Sequence, residues 1–119
     1  MAIATLDSTH LIVIFNDKEL NITAQSYCVY DCVTKSVLKS RKHNLRREVA
    51  SLTKMMTLIT VIKLVARFNL NPAKTFITIS KAGSHVTGTT ANLREGDILS
   101  VEQLAYGMML PSGNDAAYT

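Results

Sequence analysis

Ser51 and Lys54 stand three residues apart at the start of the strongest helical pattern in the chain. Residues at this spacing lie on one face of an α-helix, one turn from each other. At a helix N-terminus, free backbone N–H groups and the positive end of the dipole favour developing negative charge on Ser51. Burial beside Met55 and Met56 would disfavour a charged lysine, and a neutral amine can accept the serine proton. The pair therefore predicts a nucleophile and a general base for acyl transfer.

The same pair has a structural interpretation. Ser51 would be an ordinary N-cap, and Lys54 would be a surface lysine whose stem covers apolar neighbours. A serine three residues before a lysine is a frequent chance match, so the spacing alone favours this second interpretation.

A second candidate group is Ser112-Gly113-Asn114, in a break between two predicted helices. A hydroxyl and an amide two residues apart in a tight turn can point the same way, to relay a proton and hold a substrate amide. The alternative is turn and cap chemistry, since Ser, Gly and Asn all favour such breaks. Taken alone, this motif also favours the structural interpretation.

Three helices would position these side chains. Residues 50–68 are apolar nearly all round, which predicts a buried central helix, too short for a membrane span. Ser100 and Gln103 form a capping box, and the helix after it runs to about Leu110. A third helix is predicted to start near Asp115.

Residues 27–33 and 37–42 are predicted to form two strands of a hairpin, because polar turn residues separate them. Residues 75–79 alternate and predict a short strand. Residues 83–90 predict a loop, and Gly96-Asp97 predicts a turn. No internal repeat is found in the chain.

Composition indicates a globular chain. Of 119 residues, 47% are hydrophobic and 18% are charged, which predicts one domain with a core and excludes a disordered chain. The formal net charge is +4, and residues 35–47 carry six Lys or Arg without an acid. Such a run can bind a polyanion, although most charge runs simply form a solvent-exposed face of the protein. It has no interleaved aromatic residue, so nucleic acid is not expected as a partner.

Cys28 and Cys32 fall in one predicted strand, about 13 Å apart, so a disulfide between them is not expected. Both cysteines are instead predicted to be small buried hydrophobic residues. A metal site is not expected either, because no matching Cys or His pair exists. Residues 1–21 form an N-terminal segment of unclear role. Its short apolar run follows Asp7 and His10 rather than a basic region, so it is no clear signal peptide.

In combination, the two motifs occur in a familiar context. The sequence ASLTKMMT at residues 50–57 resembles the active-site helix of the penicillin-binding D-alanyl-D-alanine carboxypeptidases, the low-molecular-mass serine DD-peptidases. The sequence LREGDILSV at residues 93–101, continuing through Leu104 and Gly107 to the Ser112-Gly113-Asn114 turn, resembles the same family. The strand pair resembles the family's first hairpin, and the resemblance covers residues 22–119.

The resemblance implies an α/β (α+β) fold of the serine β-lactamase/DD-peptidase type, an antiparallel sheet covered by helices. It implies that Ser51 is the acyl-enzyme nucleophile, Lys54 the general base and Ser112 a proton shuttle. Asn114 would position Lys54 and the substrate amide. The substrate would be the D-Ala-D-Ala end of a peptidoglycan stem peptide, and β-lactams would acylate Ser51 as mimics. No metal or organic cofactor is needed. The family usually works outside the cytoplasmic membrane; membrane association and oligomeric state stay open.

Two departures from the family pattern matter. The family's third motif, Lys-Thr-Gly on a later strand, is absent, and Lys74-Thr75-Phe76 is no substitute. Residues 22–119 are therefore predicted to be a partial catalytic domain, truncated before that strand and incomplete at the C-terminus. Lys35 stands where the family's hairpin turn has glycine, which predicts strain if the position needs a positive φ.

Three alternative functions stay open at this point. The first is a β-lactamase-like hydrolase of the same fold, and the second is a catalytically inactive fragment or relic. The third is a small polyanion-binding module that uses the basic run at residues 35–47.

Overall fold

The computed structural model describes residues 22–119. The chain divides into two compact units, Met1–Arg47 and Glu48–Thr119. The predicted N-terminal segment, residues 1–21, lies outside the described residues.

The described part of the first unit contains an antiparallel hairpin of β1, Tyr27–Asp31, and β2, Ser36–Arg41. The predicted hairpin is thus confirmed, with β1 two residues shorter than expected. The Asp31 carboxylate holds the turn, since it accepts hydrogen bonds from the Val33 N–H at 2.8 Å and the Thr34 hydroxyl at 2.7 Å. Lys35 has a φ of 57°, so the expected left-handed position is occupied by a residue with a Cβ and carries strain.

The two cysteines were predicted to be buried, and this prediction is wrong. Both are free thiols, and both are exposed. Cys28 lies on the exposed face of β1, because successive strand residues point to opposite faces. Cys32 lies beyond the end of β1, in the turn.

The second unit mixes helices with antiparallel strands, which agrees with the predicted fold class. Its two strands are β3, Phe76–Thr78, and β4, Ile98–Ser100, which pair antiparallel with Phe76 opposite Ser100. A short 3-10 turn precedes the first helix. The helical segments are the 3-10 turn Ala50–Leu52, α1 Thr53–Arg67, α2 Lys81–Ser84, α3 Val101–Met109 and α4 Asn114–Tyr118.

Local cap chemistry explains several of these boundaries. Both bonds of the predicted capping box at α3 are present: the Gln103 N–H donates to Ser100 Oγ, and the Ser100 N–H donates to Gln103 Oε1. Residues 83–90 were predicted to be loop, but α2 ends within them. Ser80 caps α2 by accepting from the Gly83 N–H at 3.0 Å, and one helical turn is too short to leave a periodic signal.

The prediction that α1 is a buried central helix is wrong within the described residues. Met55 is 52% exposed and Met56 is 63% exposed, and Ile62 and Phe68 are exposed as well. Leu58 of α1 packs against the buried core, which consists of Ile79, Leu104, Met108 and Ala116. An apolar pattern shows which faces avoid water, but the layer that covers them is set by tertiary contacts. None of the helices between residues 22 and 119 is long and apolar enough to cross a membrane.

Candidate active site

Ser51 lies in the 3-10 turn that leads into α1. Ala50, the residue before it, has a φ of 45°, an uncommon value for a residue with a Cβ. Val49 is the N-cap of the 3-10 turn and Leu52 that of α1, and neither makes a side-chain cap hydrogen bond. Ser51 is therefore not an N-cap, and the structural interpretation of this serine is wrong.

Lys54, in the first turn of α1, is only 9% exposed. Its Nζ donates to Ser51 Oγ at 3.3 Å and to Asn114 Oδ1 at 2.7 Å. The adjacent methionines are exposed, so the expectation that they bury Lys54 is wrong. The lysine instead points towards α4, and the alternative that it is a surface lysine is wrong too.

Asn114 is the first residue of α4, 60 positions after Lys54 in the chain. Its Nδ2 donates to the Thr87 carbonyl at 2.8 Å, and its backbone N–H donates to the Thr89 carbonyl at 2.7 Å. Nδ2 is a donor and Oδ1 an acceptor, so the Thr87 carbonyl fixes which end of the amide faces Lys54. The side chain is thus engaged in tertiary contacts rather than in capping.

Ser112, the fourth predicted site residue, is not part of this hydrogen-bonded group. It has a φ of 60°. Its Oγ is buried and has no hydrogen-bond partner within the described residues, while its carbonyl accepts from the Thr89 hydroxyl. The structure therefore brings Ser51, Lys54 and Asn114 together. The Ser112 hydroxyl, close to Asn114 in the sequence, has no hydrogen-bond partner within the described residues.

Asp115 is a buried carboxylate that was not among the predicted site residues. It is 1% exposed. Burial raises the pKa of its carboxyl, but hydrogen bonds from the Ala91 N–H, the Thr90 hydroxyl and the Leu93 and Ala116 N–H groups outweigh burial and hold the pKa at about 2. Its position directly after the Ser112-Gly113-Asn114 motif, in the first turn of a helix, was the signal available in the sequence.

An open pocket of about 510 Å³ contains the hydrogen-bonded group. This volume lies in the range of small-ligand sites. Neither Lys74 nor Thr75 lines it. The lining residues are Ala50, Ser51, Thr53, Lys54, Thr57, Val86, Asn114, Ala117 and Tyr118. Between residues 22 and 119, no three His, Cys, Asp or Glu side chains come together as a possible metal site.

This arrangement can perform nucleophilic chemistry. A hydroxyl, an amine 3.3 Å from it and an amide in contact with the amine have the chemistry that a nucleophile, a base and an orienting group of a covalent catalyst require. The family model described as D-alanyl-D-alanine carboxypeptidase, peptidase family S11, matches residues 14–119. The chain belongs to this family.

Curated relatives agree with the family. A D-alanyl-D-alanine carboxypeptidase from a Streptomyces species is 43% identical over 90 residues, which are 71% of this chain and 29% of that protein. The carboxypeptidase DacD of Escherichia coli is 30% identical over 108 residues, 86% of this chain and 28% of that protein. The chain thus spans less than a third of the length of these carboxypeptidases.

Two solved structures have the same fold over most of this chain. The carboxypeptidase DacD from Francisella tularensis superposes with a TM-score of 0.74 at 32% identity, over 82% of this chain and 23% of that one. Penicillin binding protein 5 from Haemophilus influenzae gives a TM-score of 0.72 at 28% identity, over 84% of this chain and 30% of that one. The predicted DD-peptidase fold is confirmed, and the alternative of a β-lactamase-like hydrolase is not favoured.

Proposed function

We propose that this chain carries the nucleophile, the general base and the positioning amide of a serine-type D-Ala-D-Ala carboxypeptidase. The observation that carries the proposal is the hydrogen-bonded group of Ser51, Lys54 and Asn114 in one open pocket. Membership of the carboxypeptidase family supports the choice of substrate, the D-Ala-D-Ala end of a peptidoglycan stem peptide.

In the proposed acylation, Ser51 Oγ attacks the carbonyl carbon of the bond between the two D-alanines. Lys54 Nζ takes the hydroxyl proton as the new C–O bond forms, because the two atoms already lie 3.3 Å apart. The C–N bond then breaks, and the terminal D-alanine leaves with a proton on its amine. Water attacks the resulting ester, releases the shortened peptide and restores the Ser51 hydroxyl.

Asn114 and Ser112 have the two supporting roles in this proposal. The Asn114 amide holds Lys54, because its Oδ1 accepts a hydrogen bond from Lys54 Nζ at 2.7 Å. The same amide would also hydrogen-bond the substrate amide. Ser112 would pass the proton to the leaving amine. Its buried hydroxyl supports this second role, since it has no hydrogen-bond partner within the described residues and so has capacity for a further hydrogen bond.

We also propose that residues 22–119 are part of a larger catalytic domain. The support is the absence of a Lys-Thr-Gly sequence and the fraction of the relatives that the chain spans, 29% for the Streptomyces carboxypeptidase. β-Lactams are proposed as covalent inhibitors, because one matched structure is named a penicillin binding protein. They would acylate Ser51 as the peptide does.

Covalent labelling tests the proposed nucleophile. The purified protein is incubated with a fluorescent penicillin, and its intact mass is measured beside Ser51→Ala. The matched control is Ser40→Ala, which removes an exposed hydroxyl from β2 in the other unit. We expect one penicilloyl adduct on the wild type and on Ser40→Ala, and none on Ser51→Ala. An adduct that persists on Ser51→Ala, or a folded wild type that takes no label, would contradict the proposal.

A further inference from the structure

We propose that residues 87–93 act as a positioning element for Asn114, and that Gly88 is the position in it that must lack a side chain. The inference rests on the proposed role of Asn114 and adds a second set of residues to that site. Like the site itself, the segment belongs to the unit Glu48–Thr119.

Backbone carbonyls of this segment hold Asn114 from one side. The Thr87 carbonyl accepts from Asn114 Nδ2, and the Thr89 carbonyl accepts from the Asn114 N–H. The Thr89 hydroxyl donates to the Ser112 carbonyl. Side chain and backbone of the motif are therefore both tied to the segment, and the amide is held with Oδ1 towards Lys54.

Gly88 lies between these two contacts, directly against the amide. It has a φ of +103°, and a Cβ placed there would lie 2.5 Å from Asn114 Nδ2 and 3.6 Å from Asn114 Cγ. Cβ atoms in proteins essentially never approach another heavy atom so closely. A side chain at position 88 would therefore push the amide away from Thr87 or from Lys54.

Asp115 anchors the far end of the same segment. Its carboxylate accepts from the Ala91 N–H at 2.9 Å, the Leu93 N–H at 3.1 Å and the Thr90 hydroxyl at 2.7 Å. Because Asp115 follows Asn114 in the chain, the segment is fixed on both sides of the site residue. A fixed frame of this kind keeps a reacting group in its productive geometry, where a displacement of 1 Å can cost about 100-fold in rate.

The test compares Gly88→Ala with Gly96→Ala. Gly96 also has a positive φ, +86°, but a Cβ there has no heavy atom within 4 Å. Both variants thus carry similar backbone strain, but only the new Cβ of Gly88→Ala clashes with the side chain of Asn114. We expect Gly88→Ala to lower the maximal rate of penicillin acylation by about 10- to 100-fold with little change in the half-saturating penicillin concentration. Gly96→Ala should leave both unchanged.

A second readout is independent of activity. The side-chain amide resonance of Asn114 in a ¹⁵N NMR spectrum should move in Gly88→Ala and stay in place in Gly96→Ala. If the wild type takes no penicillin, the proposed function fails while this resonance still decides the inference. If Gly88→Ala and Gly96→Ala show the same Asn114 resonance and the same acylation rate, the inference is overturned.

Thr89→Val keeps the inference testable if Gly88→Ala does not fold. Thr89 is exposed, and valine removes its hydroxyl donor to the Ser112 carbonyl while leaving the backbone carbonyl that binds Asn114. We expect slower acylation and a displaced Asn114 resonance in Thr89→Val, and recovery of both in Thr89→Ser. Unchanged values in Thr89→Val would count against a positioning role of the segment.

Discussion

Acid should destabilise this protein in a pH range set by Asp115. The carboxyl has a pKa of about 2 in the folded protein, compared with its ordinary value of 3.8. Above the ordinary value the carboxylate is ionised in both states, and its hydrogen bonds stabilise the folded one in full. As the pH falls from 3.8 towards 2, the unfolded chain binds a proton that the folded chain does not, so the free energy of unfolding decreases.

The size of the effect follows from the two pKa values. Each tenfold change in proton affinity is worth about 1.4 kcal/mol, so the folded environment of the ionised Asp115, its hydrogen bonds less the cost of burial, contributes a net of about 2 kcal/mol. The residue is 1% exposed, so solvent screens these bonds little. For a domain with a total stability of about 5–15 kcal/mol, this is a substantial share.

Urea unfolding at several pH values between about 6 and 2 measures the effect. Thr90→Val is the variant, because it removes one donor to the Asp115 carboxylate, and Thr90→Ser is the control that keeps it. We expect Thr90→Val to lose about 1 kcal/mol at neutral pH and to show a smaller further loss on acidification than the wild type. Equal pH dependence in wild type and Thr90→Val, with equal stability at neutral pH, would refute the reasoning.

Two further predictions concern Lys54 and the cap of α3. Lys54→Arg should lower the rate of penicillin acylation by about 100-fold or more, because a guanidinium cannot give up a proton to act as a base; acylation at the wild-type rate would exclude Lys54 as the base. Ser100→Ala removes the side-chain half of the capping box and should cost about 1 kcal/mol of unfolding free energy without changing the acylation rate, as urea unfolding and labelling together would show. An unchanged urea midpoint would mean that the cap contributes no stability.

The sequence was most informative where neighbours in the chain determine the structure. The turn that Asp31 holds and the Ser100–Gln103 box depend on residues within a few positions of one another, and residues 75–79 predicted the short strand β3 by their own alternation. The i, i+3 spacing likewise predicted that Ser51 and Lys54 would meet, and their side chains lie 3.3 Å apart. Local propensity and side-chain chemistry are sufficient for contacts of this range.

Contacts between residues that lie far apart in the sequence could not be predicted in this way. Strand β4 has three residues and exists because β3 pairs with it, and α2 is a single turn. The apolar surface of α1 predicted burial, whereas the described residues cover only part of it. Similarly, the Thr87 carbonyl that orients Asn114 belongs to the backbone, and a backbone acceptor leaves no mark in residue type.

Asp115 connects the stability of the unit to the geometry of the site. Its pKa of about 2 keeps it ionised at every pH above 4, so the segment that holds Asn114 stays anchored throughout that range. A change in acylation rate between about pH 5 and pH 9 therefore cannot come from titration of Asp115. Such a change would have to come from another group. Comparing the pH profiles of Thr90→Val and the wild type separates the two effects, since only the acid limb should differ between them.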